Sequence, residues 1–187
     1  DVLNVVLNAQ PDSDVVLSIT SSDTGEAIAN SPLTFTSANW DTAQVVTVTG
    51  VDDDLIDGTI SSNLLIAIVD ASSDNNFDAV ADQTVSVSTT DDDVAGFTVS
   101  ETEGSTTVTE AGSTDVLNVV LNAQPDSDVV LSVSSSDTGE ATVTSTLTFT
   151  SANWDTAQVV TVTGVDDDLV DGTITSTVTV SVIDAAS

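Results

Sequence analysis

Carboxylates recur at one spacing in this chain: Asp52, Asp53, Asp54 and Asp57 within residues 45–58 (VVTVTGVDDDLIDG), and Asp166, Asp167, Asp168 and Asp171 within residues 159–172 (VVTVTGVDDDLVDG). In each copy a run alternating Val with Val or Thr predicts a half-buried strand that delivers the aspartates into a turn. Two carboxylates about 4 Å apart repel by roughly 4 kcal/mol at an effective dielectric near 20, so a crowded set must spread, take up protons or bind a cation. The chain contains no Lys, Arg or His to supply positive charge from within. Asp also favours turns for conformational reasons alone, and the chemical reading competes with that one.

The composition sharpens the argument. The 187 residues carry a formal charge of −31, with 40% hydrophobic residues, enough for a core in one or two domains. No ion pair between side chains is possible, so self-repulsion must be offset by ions from solution; this points to a calcium-bearing or saline medium and excludes nucleic acid as a partner. Abundant Val, Thr and Ser with 9 Gly and 3 Pro favour strands and turns, and no segment shows a convincing helical period. There is no Cys, no apolar run long enough for a membrane span and no initiating Met, so the chain reads as an internal piece of a longer protein without membrane insertion. Catalysis is a poor fit. Without His, Cys, Lys, Arg or Tyr only carboxylates and hydroxyls remain, and an acid pair of the glycosidase kind needs a cleft that a short-looped domain seldom has.

The elements that must position the aspartates come from a duplication. Residues 1–73 align with 115–187 at a constant offset of 114 with 16 differences, concentrated at 28–32 and 61–69. A period this long marks a whole domain. The expected division is 1–93, a repeat lacking its first strand, and 94–187, a second repeat lacking its last. One uninterrupted repeat is reconstructed from 94–187 with its ending taken from 74–93. It predicts strands at 96–109 (interrupted at Gly104), 116–122, 129–134, 140–149 (with a break), 159–165, 173–183 and, from the first copy, 84–88. Turn residues separate them, as at Gln124-Pro125-Asp126 and Asp137-Thr138-Gly139. The fold class expected is all-β: tandem seven-stranded antiparallel Greek-key sandwiches of immunoglobulin-like shape. Alternation nominates Leu117, Val119, Leu121, Val129, Leu131, Val133, Leu147, Phe149, Val160, Val162, Val178, Val180 and Val182 for the core, with counterparts 114 residues earlier. Trp40 and Trp154, each after Asn at a turn, read as plugs at one end of it, a ligand-stacking platform being the alternative.

Strand parity brings the acidic turns to one pole. A complete repeat gathers there Glu110, Asp137, Glu140, Asp166, Asp167, Asp168 and Asp171, with the counterparts of Asp91, Asp92 and Asp93; the first copy supplies Asp23, Asp52, Asp53, Asp54 and Asp57. Hard oxygen donors in such number suit calcium, which takes about six to eight, better than zinc or copper.

At these residues the chain resembles the Calx-beta family, the calcium-binding sandwich of sodium/calcium exchangers that also occurs in long bacterial surface proteins. The resemblance rests on the Val51-Asp52-Asp53-Asp54 turn and its twin at 165–168, on Asp91-Asp92-Asp93 followed by Ala95-Gly96-Phe97, and on Thr109-Glu110-Ala111-Gly112. Bacterial repeats of the family are closer still, through Leu33-Thr34-Phe35-Thr36-Ser37-Ala38-Asn39-Trp40. It implies calcium ligands at Asp52 to Asp54, Asp166 to Asp168, Asp23, Asp137 and Asp91 to Asp93, with a further glutamate at Glu101 or Glu103. The acidic run that follows the triple Asp in the exchangers is reduced here to Asp57 and Asp171, so fewer ions per site are expected. The function implied is structural: a tandem-repeat segment of a large secreted or cell-surface adhesin or filament, rigidified by calcium, its partners being calcium ions and neighbouring repeats or copies of itself. The alternative is a calcium-dependent recognition module for a glycan, mineral or ice surface.

Overall fold

A computed structural model describes residues 1–102, 104–170 and 172–184. Among them the regular structure is β apart from a 3-10 turn at Asp70–Ser72 and 3-10 geometry at Asp184, and every ladder between strands is antiparallel. Contacts divide the chain into two units, Asp1–Asp53 with Asp57–Asp91, and Asp54–Ile56 with Asp92–Ser187.

The first unit holds β1 (Val2–Val5), β2 (Val15–Ser21), β3 (Ala27–Ala29), β4 (Leu33–Phe35), β5 (Gln44–Gly50), β6 (Ile60–Ile68) and β7 (Gln83–Thr89). They form two sheets, β1-β5-β3 and β4-β2-β6-β7. The second unit holds β8 (Phe97–Glu101), β9 (Thr114–Leu121), β10 (Val129–Ser135), β11 (Ala141–Val143), β12 (Thr146–Phe149), β13 (Gln158–Gly164) and β14 (Val178–Val182), in sheets β11-β13-β9-β8 and β12-β10-β14. Each unit has one buried cluster drawn from both of its sheets.

The period-2 pattern accounts for the strands. In β2, Val15, Leu17 and Ile19 are buried while Ser18 and Thr20 face outward, and β10 repeats this with Leu131 and Val133. Phe35 and Phe149 are the largest fully buried side chains. Burying a side chain of this size stabilises by about 1.5–3 kcal/mol relative to exposure.

The expected strand at 140–149 is two strands. Residues 141–143 pair with β13 and 146–149 with β10, so the chain crosses from one sheet to the other at its break; 27–29 and 33–35 do the same in the first unit. The expected strand at 96–109 is regular only over Phe97–Glu101, and that at 173–183 only over Val178–Val182, although its counterpart β6 runs over nine residues. The difference has a visible cause. Residues 60–63 are held in the sheet by pairing with Ser86–Thr89 of β7, and β14 pairs only with β10 among the described residues.

Burial follows the same partners. Nine of the nominated core residues of the second unit are buried, from Leu117 to Val162, while Val129, Val178 and Val180 are half-buried. Val182 departs from the expectation at 46% exposed, lying at the end of a strand with one paired edge. In the first unit it is Leu3, Val5 and Leu7 that are half-buried, whereas their counterparts Leu117, Val119 and Leu121 lie on β9, which β8 covers along one edge. Ala141 and Ala27, which alternation did not nominate, are buried. Trp154 is half-buried against the second core, in line with a plug.

Candidate metal centre

Three segments of the first unit converge on Glu26. The β3–β5 ladder ends at Ala27 opposite Gly50, and it is prolonged by one bond in which the Val51 N–H donates to the Glu26 carbonyl at 2.9 Å. The Thr89 hydroxyl at the end of β7 donates to the same carbonyl at 3.1 Å. Glu26 therefore stands where the acidic turn leaves β5 and where β7 ends. The turn returns through Gly58, whose φ of 77° favours glycine, and the Gly58 N–H donates to Asp91 Oδ2 at 2.9 Å.

At this pole Glu26, Asp53 and Asp57 each bring a carboxylate oxygen within 4.8 Å of the others. Glu26 is half-buried and the two aspartates are exposed. Its partial burial, together with the negative charge of Asp57, Asp23 and Asp53, pushes the Glu26 carboxyl above its ordinary value, and a side-chain hydrogen bond with Asp57 adds to this. Asp23 shapes the turn before it: Oδ1 accepts the Gly25 N–H at 3.0 Å and its carbonyl accepts the Ala27 N–H at 3.1 Å. Three converging carboxylate oxygens in a protein with no cationic side chain could hold a metal ion. The donor set contains no nitrogen or sulfur of the kind copper or structural zinc prefers.

The structure thus brings Asp53 and Asp57 together with Glu26 and places Asp91 on the same turn. Asp52 is exposed on that turn outside the triad, and Asp54, Asp92 and Asp93 group with the second unit. In the second unit Asp137 repeats the Asp23 turn, with Oδ1 accepting the Gly139 N–H at 3.0 Å, and the Val165 N–H donates to the Glu140 carbonyl at 2.9 Å, as in the first. Asp166, Asp167 and Asp168 are exposed, and Asp167 Oδ1 accepts the Leu169 N–H at 2.7 Å. Glu110 is half-buried in the loop that Gly112 closes through its N–H to the Thr109 carbonyl. The counterpart of the triad is Glu140, Asp167 and Asp171; Asp171, like Glu103, lies outside the described residues.

Glu26 is the residue that the choice of ligands overlooked, although its repeat partner Glu140 belongs to the expected pole. The signal was its place directly before the short strand 27–29, which fixes the residue ahead of it at the sheet's edge. Neither a family model nor a curated protein matches this chain in sequence, so the reading of the pole rests on its own residues and geometry.

Proposed function

We propose that the chain is a structural segment of a secreted or cell-surface filament or adhesin, built from Calx-beta-like repeats and stiffened by calcium at acidic poles. On this reading each repeat is an immunoglobulin-like Greek-key sandwich of seven strands. The observation that carries it is the Glu26, Asp53 and Asp57 triad in a protein with no Lys, Arg or His. Two features support the structural role. The repeat is preserved at 57 of 73 aligned positions (73 minus 16), and the acidic turn changes at one position only, Ile56 to Val170. The chain also leaves the first unit directly past Asp91, whose carboxylate holds the turn at Gly58. A cation at this pole would neutralise the charges flanking the connection and limit its motion, coupling metal content to stiffness.

Calcium titration followed by calorimetry and thermal unfolding tests the reading. The expected result is saturable binding and a midpoint that rises with calcium and falls with chelator. The double variant Asp53→Asn, Asp57→Asn should weaken binding at the first unit at least tenfold and leave the fold intact, since both side chains are exposed. Equal midpoints with calcium and with chelator at matched ionic strength would overturn it.

A further inference from the structure

We propose that Asp57–Gly58 is a self-modifying peptide bond, at which the Gly58 nitrogen attacks Asp57 Cγ while the Asp91 carboxylate takes the amide proton. The product is a succinimide that water opens to isoaspartate. Asp57, Gly58 and Asp91 all belong to the first unit, and the reaction needs no metal.

An aspartyl side chain places its Cγ where the nitrogen of the next residue can close a five-membered ring on it, and a following glycine, having no Cβ, opposes that approach least. Asp57 is exposed, and a Cβ added to Gly58 would meet nothing within 4 Å. Residues 57–59 belong to no ladder, since β5 ends at Gly50 and β6 begins at Ile60, so this peptide plane can turn without breaking a sheet bond. The hydrogen bond that it does make runs to a base. The Gly58 N–H donates to Asp91 Oδ2 at 2.9 Å, within the range of about 2.6–3.2 Å at which a side chain can act as general base on that proton. The sheet sets this distance from outside the turn. Ile60 pairs with Thr89 in the antiparallel β6–β7 ladder, and the same register continued by two residues on each strand brings Gly58 opposite Asp91.

The step balances with water as the only other reactant. A bond forms between the Gly58 nitrogen and Asp57 Cγ, the N–H proton passes to Asp91, and one oxygen of the Asp57 carboxyl, entering as the acid, leaves as water with the proton that Asp91 returns. Water then adds to either ring carbonyl. Addition at the main-chain carbonyl of Asp57 breaks its bond to nitrogen and leaves the chain running through Cβ; addition at Cγ restores aspartate. In the isoaspartate the free carboxylate sits on Cα, and one of the three carboxylates of the Glu26, Asp53 and Asp57 triad is displaced.

A related contact occurs at Asp12–Ser13, where the Ser13 N–H donates to Asp74 Oδ2 at 3.1 Å. There the attacking residue carries a side chain. The Asp74 carboxylate also accepts N–H bonds from Asp12 and Asn76, which lower its pKa and make it the weaker base.

The test ages the 187-residue chain at fixed pH and ionic strength with chelator, and follows succinimide and isoaspartate by peptide mapping against the same chain in urea. Products at Asp57 are read separately from those at Asp171–Gly172, the same dipeptide in the second copy. Isoaspartate at Asp57 should accumulate at least about threefold faster in the folded chain than in urea, and faster than at Asp12. Asp91→Asn keeps an acceptor for the Gly58 N–H without a comparable base, and should bring the folded rate down to the urea rate or below it. Circular dichroism checks that the variant is folded; if it is not, the comparison of folded and unfolded parent chain still decides. A folded rate equal to or below that in urea, or a folded Asp91→Asn variant that reacts as fast as the parent, would overturn the proposal.

Discussion

Glu26 and Asp74 show how the same side-chain chemistry is pushed in opposite directions by its neighbours. Glu26 is surrounded by carboxylates, and its pKa is raised; in the metal-free protein it therefore contributes stability that is present below its unfolded value and is lost as pH rises through the folded one. Glu26→Gln should raise the metal-free thermal midpoint at neutral pH and flatten its pH dependence just above the ordinary Glu range. In calcium the same variant should reduce the calcium-induced rise, a change of sign that a purely structural glutamate would not give. Asp74 is 5% exposed and its pKa is lowered, because its carboxylate accepts N–H bonds from Asn76, Ser13 and Asp12. Its contribution is present above the unfolded value and lost as pH falls through the folded one, below the ordinary Asp range. Asp74→Asn should lower the midpoint at neutral pH, and that deficit should shrink as pH falls through the folded value of Asp74, as followed by circular dichroism. Neither role was legible beforehand. Asp74 lies in the stretch 70–82, where no periodicity marks which acid turns inward. The hydroxyl of Ser62 is buried with no hydrogen-bond partner among the described residues, and nothing in the structure explains it.

Strands were read well where alternation alone decides them and poorly where a neighbour does. The sequence VVLS at 15–18 and 129–132 lies in the strand in both units, and the QVVTVTG runs form β5 and β13 over the same positions. Residues 60–63 and 174–177 share Ile and Ser at two of four positions, with small polar residues at the other two, and have different structure, since a strand exists by its ladder as much as by its propensity. The sheet crossing within 27–35 was seen as a break, but pairing partners are not written in a pattern of period 2. Glycine offers a contrast at this scale. A Cβ on Gly164 would lie 2.1 Å from the Thr109 carbonyl oxygen and 2.8 Å from its carbon, both main chain; on Gly50 it would meet only the Thr89 methyl at 3.6 Å. Gly164→Ala should therefore destabilise the second unit by about 1–3 kcal/mol, and Gly50→Ala should be close to neutral. Chemical denaturation of the two variants checks this; equal losses would mean that residues 106–109 yield freely.

For the whole molecule, a charge of −31 with no positive side chain makes the sign of one response unambiguous. Salt has no side-chain ion pair to weaken and only repulsion to screen, and the Debye length falls to about 10 Å at 0.1 M. Raising sodium chloride from low to moderate concentration should lift both unfolding transitions, and calorimetry at constant pH measures it; calcium should act on top of this at far lower concentration if the triad binds it. The duplication has a further consequence, for assembly of the fold itself. Residues 1–18 and 115–132 are identical, as are 33–55 and 147–169, so β1, β2 and β5 of one unit could pair in perfect register with strands of the other. Half of the sixteen differences, at 61 and 63–69, fall in and just past β6, in the strand that completes the sheet around β2. A refolding chain can thus tell its two halves apart chiefly by the fit of that strand, Leu and Ile in one and Val and Thr in the other, and errors of kinship, more than errors of register, are what its folding has to avoid.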